Sequence, residues 1–180
     1  MALFFITGAA GCGKSTICLA LKSRGCVAYD TDEDGLSSWQ HNQSGHIHPP
    51  TTINKEERTE TFMQTHSWNA SRQKLEKLAE QANDKAIFVC GVADNLEELL
   101  DVFTGVFVLV IDETTRKYRL ETRTNSDMGR QPHELQYILK ERDAMERLSK
   151  TNGFITIDAT QPTKAIIDEI LKHTNRKKSF

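Results

Sequence analysis

The stretch Gly8-Ala9-Ala10-Gly11-Cys12-Gly13-Lys14-Ser15, followed by Thr16, decides the fold. Its spacing is that of a Walker A loop, and its flanks are those the motif requires. Leu3-Phe4-Phe5-Ile6-Thr7 before it predicts a strand, and Ile17-Cys18-Leu19-Ala20-Leu21 after it predicts a helix ending at Gly25. In such a strand-loop-helix unit the glycines take backbone angles closed to other residues. Main-chain amides and the helix N-terminus can then converge on one phosphate. Gly8, Gly11, Cys12 and Gly13 form the cradle, Lys14 reaches the β- and γ-phosphates, and Ser15 and Thr16 open the helix, with the Ser15 hydroxyl on Mg²⁺.

Four more apolar runs predict strands: residues 26–30, 86–90, 105–111 and 154–158. They do not alternate with polar residues, as expected of strands covered on both faces, and helical patterns separate them. The chain therefore predicts an α/β fold built on a parallel sheet. Asn95 and Glu98 predict a capping box for a helix carrying Leu96, Leu99, Leu100 and Phe103. Two segments break the alternation. Residues 36–85 are too long for one crossover: a polar, turn-rich run over 39–50 precedes a long helical pattern with Phe62, Leu75, Leu78, Ala79 and Ala82. Such an insertion is suited to walling a second binding site. Residues 112–132 open a charged helical pair in which Arg116, Arg119 and Arg123 share one face. This segment is expected to act as a lid that neutralises developing charge, with Arg119 and Arg123 as its principal cations and Arg130 and Arg142 as lesser candidates.

A length of 180 residues suits one domain, spanning 1–180, with a core sufficient without staples. The net charge of -2 and pI near 6.3 give no reason to expect a nucleic-acid partner. Cys12, Cys18, Cys26 and Cys90 follow no metal-ligand spacing and read as reduced thiols. No apolar run approaches membrane-spanning length and no leader pattern precedes the first strand, so a soluble, cytoplasmic protein is expected. Oligomeric state is left open by these signals.

Asp30 and Asp32 stand at the carboxyl end of the second predicted strand, where α/β sheets present ligands. Asp30 can hold a metal-bound water, and Asp32 can accept a proton from an acceptor hydroxyl; the alternative for either is capping the next helix. His41, His46 and His48 share a loop that borders the expected acceptor pocket, without the carboxylate or cysteine that a recognised metal set needs. Trp39 and Trp68 are candidates for the same wall, Trp68 equally for core. Asp112 fits a helix cap better than a second metal-site acid.

In the order of these motifs the chain resembles the small P-loop kinases of the nucleoside monophosphate kinase superfamily, and within them the shikimate and gluconate kinase-like branch. The resemblance rests on residues 8–16, the Asp30-Thr31-Asp32 turn, Cys90-Gly91 ending the third strand, the arginine-bearing segment from Arg116 to Arg130, and Asp158-Ala159-Thr160-Gln161-Pro162. It implies a three-layer α/β/α P-loop fold with a five-stranded parallel sheet in the order 2-3-1-4-5, ATP, Mg²⁺ and a closing lid. It also implies that Asp30 serves the metal, that Asp32 meets a small-molecule acceptor, and that Ala159, Thr160, Gln161 and Pro162 lie against the adenine. On the acceptor side the chain departs from these relatives. Gly91 is followed by Val92-Ala93-Asp94 where shikimate kinases carry a run of glycines. The serine and lysine of gluconate kinases and the strand-ending aspartate of adenylate kinases are absent. The expectation is an ATP-dependent kinase of a small metabolite. The alternatives are a nucleotide-binding switch and a polynucleotide 5′-hydroxyl kinase, the latter requiring a basic channel that the net charge does not advertise.

Overall fold

The computed structural model describes residues 2–49, 53–82, 85–122, 128 and 131–176. In chain order the elements are β1 (Ala2–Thr7), α1 (Lys14–Ser23), β2 (Val27–Asp30), β3 (Ser37–His41), β4 (Ile47–His48), α2 (Glu60–Thr65), β5 (His66–Ala70) and α3 (Arg72–Gln81). They continue with β6 (Ala86–Cys90), a 3-10 helix (Leu96–Val102), β7 (Gly105–Val110), α4 (Glu113–Thr122), α5 (Pro132–Asn152), β8 (Ile155–Asp158) and α6 (Thr163–Arg176).

The central sheet has the order β2-β6-β1-β7-β8, and every pairing in it is parallel. Counting only its own strands, that is the expected 2-3-1-4-5. Alternate residues of β1 feed two cores. Phe4 and Ile6 pack with Ile17, Leu21, Ile166 and Ile170, so α1 and α6 cover one face. Leu3 and Phe5 pack with Leu75, Leu78, Leu96 and Leu99, which places α3 and the 3-10 helix on the other, joined by Met145 and Leu148 of α5. Burial on both faces is why these strands read as unbroken apolar runs. Because parallel strands point their carboxyl ends the same way, the segments after β1, β2 and β6 meet at one edge.

The insertion differs from its expected form. Residues 66–70 form β5 where a continuous helix is predicted, and with β3 and β4 they build a three-stranded antiparallel sheet. Two N-caps bracket the break: Thr59 Oγ1 accepts from the Phe62 amide (3.2 Å) and Ser71 Oγ from the Lys74 amide (3.4 Å), so two short helices replace one long one. Register pairs Trp39 with Trp68 and with His48, and His41 with His66, placing all five on one face. The 3-10 helix replaces the predicted α-helix after β6. Asn95 makes no side-chain cap bond there. Its amide instead accepts from the Ala70 N–H (2.9 Å) and donates to the Ala70 carbonyl (3.0 Å), tying the insertion to the segment after β6.

His66 stacks on Phe62 at 3.9 Å between ring centroids, and its Nδ1 donates to the Phe62 carbonyl (3.1 Å). Burial, and then the neighbouring rings of His48, His41 and His46, lower its proton affinity, while that carbonyl opposes the shift. A group whose folded pKa is depressed favours folding above its unfolded value. Destabilisation should therefore set in as the pH falls through the ordinary histidine range near ~6.5 and level off below the lower folded value. Melting temperature measured against pH checks this, and His66→Gln should flatten that part of the profile.

Candidate active site

One end of the candidate site is built where β1 turns into α1. Gly8 has φ 148°, and a Cβ there would stand 2.5 Å from the Leu109 carbonyl oxygen, so the loop closes only with glycine. Gly13 precedes α1 without any side-chain cap bond, which leaves the first-turn amides of the helix for an anion. Lys14 Nζ folds back over the loop, donating to the carbonyls of Gly8 (2.8 Å) and Ala9 (3.3 Å). Gly11, Gly13, Lys14, Ser15 and Thr16 line a cleft of ≈ 620 Å³, which Asp30 and Asp32 also line. Cys12 is buried and makes no part of that lining with its thiol. Arg119 on α4 bridges two loops: one guanidinium nitrogen donates to the Cys12 carbonyl (3.3 Å) and the other to the Ala159 carbonyl (3.2 Å). The loop after β8 is held by Asp158, which accepts from the amide and hydroxyl of Thr160 and from the Gln161 side chain. Ala159 is buried, while Thr160, Gln161 and Pro162 are exposed beside it.

At the other end the β2 terminus is folded on itself. The Asp32 amide donates to Asp30 Oδ1 (3.1 Å), and Asp32 Oδ1 accepts from the Thr31 hydroxyl (2.9 Å) and from Trp68 Nε1 (3.2 Å). Asp32 is open to the cleft, yet the walls crowd its carboxyl. That partial desolvation, reinforced by Asp30 and opposed by Thr31, Lys14 and Trp68, raises its proton affinity above the ordinary carboxylate range. Water filling the cleft moderates the effect. Trp39, Trp68, Tyr137, Val92 and Ile138 complete the wall. Trp39 packs edge-on against Trp68 at 5.3 Å and lies 5.8 Å from the Tyr137 ring.

A family model described as an AAA domain matches residues 5–149. The chain belongs to that family. No curated protein sequence matches it. Among solved structures it resembles shikimate kinase from Acinetobacter baumannii in complex with shikimate, with a TM-score of 0.63 and 16% identity over 100% of this chain and 96% of that one. It also resembles a gluconokinase from Sinorhizobium meliloti 1021, with a TM-score of 0.57 and 17% identity over 97% of this chain and 92% of that one. A third likeness is to deoxyadenosine kinase from M. mycoides with bound dATP, with a TM-score of 0.54 and 16% identity over 97% and 100% of the two chains. At these identities the likeness is one of fold: this AAA-domain chain has the small P-loop kinase architecture.

Within that family frame, the arginine stripe is not one exposed face. Arg116 is buried and holds Glu113 through two bonds of 3.2 and 2.8 Å, an i−3 partner that a search of the i+4 positions misses. Arg123 and Arg130 lie outside the described residues, as does the side chain of Arg142. Asp112 caps α4, accepting from the Thr115 amide (2.8 Å) and hydroxyl (2.6 Å). Cys18 and Cys90 are closed in the core, and all four thiols are free of disulfides. Among the described residues no helix is long and apolar enough to cross a membrane.

Three site residues have no local sequence signature. Arg58 reaches the cleft from the segment before α2, its Nε donating to Glu134 Oε1 (2.9 Å) on α5. Asp94 accepts from the Trp68 amide (2.7 Å) and, with the same oxygen, from the Tyr137 hydroxyl. The aromatic wall is thereby locked from two sides. For the metal, no cluster of three acidic, histidine or cysteine side chains exists among the described residues. The Ser15 hydroxyl and Asp30 carboxylate in one cleft fit Mg²⁺, which takes one or two protein oxygens and completes its shell with phosphate and water.

Proposed function

We propose that the chain is an ATP-dependent phosphotransferase that moves the γ-phosphoryl group to a small-molecule acceptor, a hydroxyl or phosphate compound. The observation that carries this is one cleft with two chemically different ends. Lys14 and Ser15 stand at one, and Asp32 faces an aromatic chamber made by the insertion at the other. In this reading Gly8, Gly11, Cys12, Gly13, Lys14, Ser15 and Thr16 hold the triphosphate. Residues 159–162 border the base, with Arg119 across it. Ser15 and Asp30 hold Mg²⁺, whose charge offsets that of the phosphate oxygens. Lys14, Arg119 and Arg123 offset charge developing on the transferring group, and residues 112–132 serve as the lid. Residues 36–85 bind the acceptor.

Asp32 takes the proton of the acceptor hydroxyl as its oxygen forms the new bond to the γ-phosphorus. The bond to the β,γ-bridging oxygen breaks, releasing ADP. A walled chamber with a carboxylate on its floor favours transfer over a nucleotide-read switch. The acidic floor also argues against a polynucleotide acceptor.

The test is ADP release from Mg-ATP across sugar acids, nucleosides, monophosphates and oligonucleotides, repeated with Asp32→Asn. That variant keeps the bonds from Thr31 and Trp68. It should lower acceptor-stimulated turnover by about 10²–10⁴-fold while leaving ATP affinity intact. Loss of ATP binding to the same degree would remove Asp32 from the acceptor role. Because the Asp32 proton affinity is raised, the acid limb of kcat/KM should fall above the ordinary carboxylate value of ~3.9, and this limb should vanish in the variant's residual activity.

A further inference from the structure

The acceptor chamber is unlike one built for an acid. Among the described residues lining it, the single cation away from the phosphate loop and Arg119 is Arg58, and Arg58 is engaged by Glu134, which is fully buried. A buried ion pair of this kind has little net charge to offer a third group. The floor carries Asp32 and Glu33, both negative when ionised, and both line the cleft. Among the described lining residues, an incoming carboxylate would meet like charge there, and the Arg58 cation is already paired with Glu134. The walls point elsewhere. Trp68 is half-buried with its indole nitrogen tied to Asp32, so its ring is fixed beside the carboxylate that would receive the proton. Trp39 braces it edge-on and Tyr137 is held by Asp94, giving a rigid aromatic surface of low conformational cost.

We infer that the acceptor is an uncharged alcohol bearing a flat ring, whose ring packs on Trp68 and whose hydroxyl hydrogen-bonds Asp32. This rests on the transferase reading above and narrows it. Asp32 accepts the hydroxyl hydrogen in the ground state and the proton in transfer, and the product is the phosphate monoester of the ring alcohol. Carboxylated sugar acids, though they fit the fold's relatives, are disfavoured by the charge of the chamber.

The chain has two tryptophans, Trp39 and Trp68, and both line the cleft, so intrinsic fluorescence reports acceptor binding independently of transfer. Adenosine, thymidine and pyridoxine serve as ring-alcohol probes, with shikimate and gluconate as carboxylate probes, each titrated by fluorescence and assayed for ADP release with Mg-ATP. The expected result is saturable quenching and turnover with at least one ring alcohol and neither with the acids. Trp68→Leu should weaken that acceptor by about tenfold or more, read as a rise in both its fluorescence Kd and its KM. Trp68→Phe should recover most of the binding. Glu134→Gln, which removes the carboxylate charge beside Arg58, should raise the affinity for shikimate or gluconate. Turnover of a carboxylate probe by the wild type, with KM unmoved in Trp68→Leu, would overturn the inference while leaving the kinase reading intact. Quenching by a ring alcohol without ADP release would sink the kinase reading and, with it, the alcohol's role as acceptor, leaving only a ring-binding chamber. Silence with every ring alcohol in both readouts would overturn the inference.

Discussion

Gly91→Ala is expected to unseat the Asp30-Thr31-Asp32 turn and with it the acceptor chemistry. Gly91 follows β6, and no positive φ calls for glycine there; the requirement is space. A Cβ at this position would lie 1.8 Å from Thr31 Oγ1 and 2.6 Å from both Thr31 Cβ and Cγ2. Thr31 cannot step aside, because it is fully buried and its amide donates to the Cys90 carbonyl (2.9 Å). Nor can Gly91, whose amide donates to the Ile6 carbonyl (3.0 Å). The Thr31 hydroxyl donates to Asp32, so any shift is passed to the carboxylate on the chamber floor. Overpacking of this kind costs about 1–3 kcal/mol, which for a chain of this size lowers Tm by roughly 2–12 °C. Turnover should fall further than stability, since an ångström of displacement at a reacting group alone can cost about 10²-fold. Calorimetry and ADP release on one preparation separate the two effects. Thr31→Ala would leave the Cβ contact in place, so the informative rescue is Thr31→Gly combined with Gly91→Ala. Recovery of Tm in that double variant identifies the clash as the cause, and an unrescued Tm would move the explanation away from Thr31.

The central sheet and the phosphate loop were legible because both are written in local chemistry. Leu3 to Thr7, the glycine spacing and the helix after it are contiguous, and burial on both faces leaves an apolar run that no solvent-facing pattern interrupts. The insertion was not, for an equally physical reason. Leu75, Leu78, Ala79 and Ala82 keep helical spacing, yet residues 66–70 before them are a strand because Trp39 and His41, far away in sequence, pair with Trp68 and His66. A pairing partner across a turn overrides local periodicity. One cue was present: Ser71 is a strong N-cap residue, and a cap in the middle of a supposed helix marks a break. Arg58, Asp94 and the α5 residues Glu134 and Tyr137 come together from three separate segments, and nothing in their neighbours announces it. The phosphate-loop end of the cleft therefore reads from one stretch of chain, whereas the aromatic end exists only once the chain has folded.

Lys14→Ala should all but abolish turnover while leaving the fold nearly untouched, and the two halves of that statement have separate grounds. The Lys14 ammonium donates to two carbonyls of its own loop, Gly8 at 2.8 Å and Ala9 at 3.3 Å. Gly8 and Ala9 line a separate pocket of ≈ 140 Å³ that can admit a water to replace the lost donor, so the variant should lose no more than about 1 kcal/mol of stability. With a triphosphate bound, the ammonium is expected to leave the loop for the phosphate oxygens and to act where negative charge accumulates during transfer. Removing one such preorganised donor lowers kcat by about 10²–10³-fold, and affinity for the triphosphate falls with it. The separation is measurable by thermal shift. Wild-type protein at a hundredfold excess of Mg-ATP over Kd should gain about 2.7 kcal/mol of stability, and Lys14→Ala should lose most of that gain at the same concentration. An unchanged nucleotide-induced shift in the variant would mean that the loop grips its anion through backbone amides alone. Lys14 would then be confined to the transfer step. A large drop in Tm without nucleotide would instead make the lysine a structural strut of the loop, and the loss of turnover could no longer be assigned to charge.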